Sequence, residues 1–205
     1  MFEAITYKDM LQSIKENGIK ADTIGILLAR PKSNTGESIL KSLPYYHHRS
    51  GELINFFLPG YGAYWYGTYP DEIDAVKIDG TQWSFSNEMF AKFVSDLEKK
   101  SSWQYSGESE LLLIDCHDSK LDFSNVLRLQ LDAMLRDDVV PSIEWFFERL
   151  FREMGRQSKV TRISNIAGAK TLGQVTIDSV MEIIPNIFGD IIKKEKHYIT
   201  RDYSK

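Results

Sequence analysis

A single α/β domain, with a mixed sheet flanked by helices and a C-terminal helical extension, is the fold this sequence predicts, on three observations. The runs IGILLA (24–29), LINFFL (53–58) and LLLID (111–115) are continuously apolar and strand-sized, as in strands covered on both faces. Between them lie segments whose apolar residues recur at helical spacing. The chain has 205 residues, of which 42% are hydrophobic, and this suits one core better than two. Residues 1–156 read as the core domain. Residues 157–205 read as a connector followed by an amphipathic helix packed on the core or on a partner.

The elements follow in order. Tyr7 to Asn17 reads as a helix, with Thr6 and Asp9 placed as a reciprocal cap and Met10, Leu11 and Ile14 on one face. The loop RPKSNTGES leads from the first strand into a second helix over about 36–43. Asn34 and Glu37 are its expected cap pair, and Pro44 is expected to stop it. After the strand 53–58 comes an aromatic, glycine-containing loop, PGYGAYWYGTYPDE. Residues 74–85 then read as a hairpin, because Asp79-Gly80 is a favoured two-residue turn; it sets Val76 opposite Trp83 and Ile78 opposite Thr81. Ser86 caps a helix over 87–99 whose stripe includes Phe90, Phe93, Val94 and Leu97. The segment VLRLQL (126–131) alternates like an edge strand, while 124–136 also reads as a helix. A further helix starts near Pro141, carries Ile143, Phe146, Phe147, Leu150, Phe151 and Met154, and leaves at Gly155. Beyond a polar connector, Ile177 to Lys194 forms a last helical stripe that Pro185 should kink.

Composition narrows the partners. A net charge of −4 gives no global attraction to nucleic acid, so nucleic acid is not an expected partner. The lone Cys116 excludes an internal disulfide, which together with the absence of a basic-then-apolar leader or a membrane-length run predicts a cytoplasmic chain.

In open α/β sheets ligands gather at the carboxyl ends of parallel strands, and this rule sorts the polar clusters. Arg30 and Lys32 follow the first strand and precede a helix start, a place that favours an anionic small molecule. Asp115, His117 and Asp118 leave the 111–115 run as a possible acid–base group, and they would join the same edge if that strand were parallel to the first. They lack a third residue at metal-ligand spacing, so neither a metal nor a cofactor is expected. Tyr61, Tyr64 and Trp65 could supply a stacking surface. His47, His48 and Arg49, in PYYHHRSGE, form a second candidate group at a helix exit, where cationic side chains also satisfy terminal carbonyls. GAKT (168–171) lacks the spacing of a phosphate loop.

Two functions are consistent with these residues. One is a non-catalytic binding or regulatory module, an accessory subunit of a bacterial multi-protein system. It would use the aromatic loop and meet a protein partner or a second copy through the last helix. The other is an enzyme for a phosphorylated or nucleotide-like substrate, in which Arg30 or Lys32 holds the anion and His117 acts as base beside Asp115 or Asp118.

Overall fold

The computed structural model describes residues 2–18, 21–50, 53–65, 67–166, 199–200 and 202–205, and the expected helix over 177–194 lies outside them. Three parallel strands begin the architecture: β1 (Phe2–Ala4), β2 (Ala21–Leu28) and β3 (Asn55–Pro59), with β3 in the middle. The chain moves one way across the sheet through α1 (Tyr7–Glu16), then back through α2 (Asn34–Ser50). Right-handed crossovers in opposite directions place α1 and α2 on opposite faces. The remaining strands of this sheet are β7 (Glu110–His117), β8 (Lys120–Gln130) and the two-residue β9 (Ile199–Thr200), giving the order β1-β3-β2-β7-β8-β9. A second sheet of three strands, ordered β4-β6-β5, is built from β4 (Tyr61–Ala63), β5 (Ile73–Ile78) and β6 (Thr81–Phe85).

Helices α3 (Asn87–Lys100), α4 (Leu131–Arg136) and α5 (Ile143–Ile166) complete the described elements. The mixed sheet with flanking helices is the expected α/β class, and the stripe of α5 from Ile143 to Met154 is buried as predicted. Phe56 of β3 meets Phe147 and Phe151 of α5 edge-on, and Tyr46 of α2 lies with its ring centroid 4.5 Å from that of Phe147. On α1 the reciprocal cap forms: Thr6 Oγ1 accepts from the Asp9 N–H, and an Asp9 oxygen accepts from the Thr6 N–H.

Four expectations change. The helix expected to stop at Pro44 runs on to Ser50, with Pro44 inside it. A proline within a helix costs about 3 kcal/mol, but Ile39, Leu43 and Tyr46 on the same helix are fully buried, and each such side chain contributes roughly 1.5–3 kcal/mol. Packing therefore outweighs propensity. The start of this helix is held by Ser33, whose hydroxyl accepts from the Gly36 N–H at 3.0 Å. Helix α5 continues past Gly155 to Ile166, since one glycine costs only about 1 kcal/mol and the next proline, Pro185, lies well beyond it. The 124–136 segment is both things in turn, strand to Gln130 and helix from Leu131.

The fourth change matters most for function: β7 is antiparallel to β2, pairing His117 with Ala21 and Glu110 with Leu28. Its turn into β8 is Asp118-Ser119, both at positive φ; aspartate tolerates that conformation, but the pair lacks the glycine that usually advertises it.

Pro44→Ala restores a backbone donor and relieves the clash with the preceding turn. Urea unfolding should show a stabilisation of about 1–3 kcal/mol; a loss of stability would mean that the proline is itself a packing element.

Candidate binding groove

The chain enters the second sheet through Gly60. Its φ of 77° lies in the left-handed region, and a Cβ there would stand 2.7 Å from Phe90 Cβ, so only glycine fits. Its N–H donates to Ala4 O and its carbonyl accepts from the Ser86 N–H, which ties both sheets to the start of α3. The β5–β6 hairpin has the predicted register, with Val76 opposite Trp83 and Ile78 opposite Thr81.

Because paired residues share a face and neighbours alternate, Trp83 and Phe85 turn inward and are buried. Asp74, Lys77, Gln82 and Ser84 then share the opposite face with Gly62, which pairs with Ser84. Gly62 has a specific role. A Cβ at this position would lie 2.2 Å from Trp65 Nε1, so the absence of a side chain lets the indole settle over the strand. Trp65 meets the ring of Tyr69 edge-on at 4.7 Å between centroids. Tyr64 stands beside it at φ 62° and 68% exposed. A large aromatic held outward from the left-handed region is strained and solvent-facing, a combination associated with binding surfaces.

The resulting groove, of about 500 Å³, is lined by Tyr64 and Trp65, by Glu72, Asp74 and Lys77, and by Thr81, Gln82 and Ser84. Its volume falls in the small-molecule range of roughly 300–1,000 Å³. Glu72 is partly used: one carboxylate oxygen accepts from Ser84 Oγ and the other from the Gly67 N–H, each at 3.1 Å. Gln82 Nε2 donates to the carbonyls of Val76 and Trp83, leaving its Oε1 as an acceptor. Asp71, beside Glu72, clamps the rim to α3 by accepting from Ser86 Oγ at 2.6 Å and from the Glu88 N–H at 2.8 Å. Those two hydrogen bonds hold its pKa below the usual carboxylate value.

The residues singled out in the sequence fall into separate places. Tyr61 is fully buried, donates to Ala29 O at 2.7 Å, and has its phenol pKa pushed up by burial, so it is a core residue and not part of the stacking surface. Tyr64 and Trp65 are in the groove. Arg30 lies with its guanidinium 5.0 Å and 5.6 Å from the ring centres of Phe90 and Tyr105, and Lys32 is exposed. Asp115 is buried, accepting from Thr23 Oγ1 at 2.6 Å and from Asn125 Nδ2, and these bonds tie β7 to its neighbours. His117 and Asp118 are exposed beside the β7–β8 turn.

Seven steps of β2, about 23 Å at ~3.3 Å each, separate the Ala21–His117 pair from the Leu28–Glu110 pair, and Arg30 lies beyond Leu28. The anion-holding and acid–base groups therefore do not form one site. Near Arg30 the sheet is held instead by Glu110, fully buried, which accepts from Arg128 Nε at 2.8 Å, Trp103 Nε1 at 3.2 Å and the Ser106 N–H at 3.0 Å.

His47 and His48 both turn to Asp79, at 3.7 and 2.8 Å, so the end of α2 holds the tip of the hairpin next to the groove. Burial lowers the His47 pKa, with Asp79 pulling the other way. Arg49 and Tyr45 both meet Glu148 of α5. The histidine cluster thus braces the groove from behind. The groove's polar residues, Glu72, Asp74, Lys77, Gln82 and Ser84, went unnoticed in the sequence, although the outward alternation of the hairpin names four of the five.

Among the described residues no helix is long and apolar enough to cross a membrane, and no group of three or more acidic, histidine or cysteine side chains could hold a metal ion. No protein-family model matches the chain, and the searches of curated proteins and of solved structures found no match either.

Asp71→Ala should cost about 1 kcal/mol at neutral pH through loss of the α3 clamp. The folded carboxyl titrates below its unfolded value of about 3.9, so its contribution is complete above that pH and is lost as pH falls through the folded pKa. Urea unfolding across pH should show the gap between the variant and the parent closing in acid. An undiminished gap there would assign the loss to packing instead.

Proposed function

We propose that this chain is a non-catalytic binding or regulatory module whose contact surface is the outward face of the β4-β6-β5 sheet. One observation carries the reading: a groove of small-molecule size lies between an outward-held aromatic and a row of polar side chains on a rigid hairpin. The hairpin is pinned at its tip by the α2 histidines and at its base by Asp71, so the surface is preorganised, which lowers the ordering cost of binding. An accessory role, with the groove presenting or sensing a ligand for a partner, is part of the same proposal. The other reading, an enzyme for a phosphorylated or nucleotide-like substrate, needs Arg30 or Lys32 beside His117, and the antiparallel course of β7 works against it.

Tryptophan fluorescence of the full chain, titrated with saccharides, amino acids, nucleotides and sugar phosphates, tests the module reading, with NMR of the ligand reporting any conversion. At least one class should bind, return chemically unchanged, and lose about tenfold or more in affinity in Tyr64→Ala or Asp74→Ala. Turnover of a ligand, or binding that survives both substitutions and is lost in Arg30→Ala or His117→Ala, would transfer the function to the other reading.

A further inference from the structure

Resting on the module reading, we infer that the groove takes a neutral, polyhydroxylated ligand: a sugar ring or short saccharide. The argument begins with charge. None of the three charged groove residues, Glu72, Asp74 and Lys77, makes an ion pair among the described residues, and Asp74 and Lys77 are of opposite sign. Glu72 adds a second carboxylate whose oxygens are already engaged. A phosphate or other anion entering here meets two carboxylates, and a simple cation meets the Lys77 ammonium. Like-charge placement of this kind disfavours an anion outright and offsets part of the attraction of a cation to the carboxylates. A neutral ligand bearing groups that both donate and accept meets no repulsion.

The hydrogen-bonding inventory agrees. Asp74 offers acceptor oxygens, Gln82 offers Oε1 because its amide N–H groups are directed at two backbone carbonyls, and Lys77 offers donors. The Thr81 and Tyr64 hydroxyls, 3.4 Å apart, can each give or accept. Neighbouring hydroxyls on a sugar ring both donate and accept, and so satisfy such a mixed row without leaving a charge buried. The aromatic side supplies the rest. Tyr64 presents a ring that is mostly in solvent, and Trp65, packed against Gly62 and Tyr69, makes a firm wall behind it. The C–H face of a sugar can lie against such a ring and bury apolar area that hydrogen bonds alone would leave wet. A nucleobase would also stack on Tyr64, but its phosphates would face Asp74 and Glu72.

Isothermal titration of the full chain with neutral mono- and disaccharides, their phosphorylated counterparts, free amino acids and nucleosides decides the matter. Neutral saccharides should bind with Kd at or below about 1 mM, the phosphorylated forms at least about tenfold more weakly, and Lys77→Glu should not improve binding of a cation-free sugar. Tyr64→Gly should abolish saccharide binding while leaving the melting temperature unchanged or raised, because glycine relieves the positive φ. Tyr64→Phe, which keeps the ring, should retain most of the affinity. If amino acids, nucleosides or phosphorylated sugars bind more tightly than neutral sugars and the Tyr64 variants weaken them, the saccharide assignment is overturned while the binding-module reading stands. If neutral saccharides fail to bind at ~10 mM, the assignment is also overturned. If saccharides bind equally well to Tyr64→Gly and to Asp74→Ala, both readings fall.

Discussion

Gly60 is the constraint on which the arrangement depends. One residue ends the parallel strand β3, turns the chain out of the main sheet and starts β4, and its two backbone hydrogen bonds go to Ala4 on one side and Ser86 on the other. The turn requires a positive φ and a space too small for a methyl group against Phe90. From it follow the second sheet, the placement of Gly62 under Trp65, and the start of α3 beneath the groove rim. A structure that closed this corner differently would have the same main core and no groove.

The main sheet supplies rigidity through one buried charge pair and its neighbours. Glu110 is fully buried, and removing one partner of such a pair typically costs 3–5 kcal/mol because the other charge is left uncompensated. That network sits at the carboxyl end of β2, where an α/β sheet of this kind would ordinarily present a ligand site. Here the place is filled by Glu110, Arg128, Trp103 and the Arg30 guanidinium lying over the Phe90 and Tyr105 rings. The antiparallel course of β7 accounts for the substitution, since it delivers a glutamate from a strand beginning where a parallel strand would have delivered its end. The proposed binding surface lies instead on the small sheet.

Much of this was legible in the residues, and the failures have physical causes. The hairpin register could be read because Asp79-Gly80 fixes the turn and a fixed turn fixes every pair beyond it. The helix stripes could be read because burial follows a 3.6-residue period. The direction of β7 could not, since a buried apolar strand looks the same whichever way it runs, and Asp118-Ser119 gives no glycine signal for the turn that would have revealed it. Pro44 misled because propensity is local, while Tyr46 and Leu43 are held by contacts across the fold. The aromatic loop is legible, but its division into a core Tyr61 and an exposed Tyr64 depends on the place of Tyr61 in β4 and on the left-handed φ that Tyr64 adopts just beyond that strand.

Four tryptophans give four indole N–H signals in a nitrogen-15-labelled sample, and three of them report on separate parts of the fold. Trp65 lines the groove, Trp103 donates to Glu110 at the carboxyl end of β2, and Trp145 lies on α5. With Trp65 assigned through Trp65→Phe, adding a bound saccharide should move the Trp65 signal and leave those of Trp103 and Trp145 in place. A ligand that moves Trp103 while Trp65 stays fixed would contradict the account, because it would return the binding surface to the edge that Arg30 and Glu110 occupy.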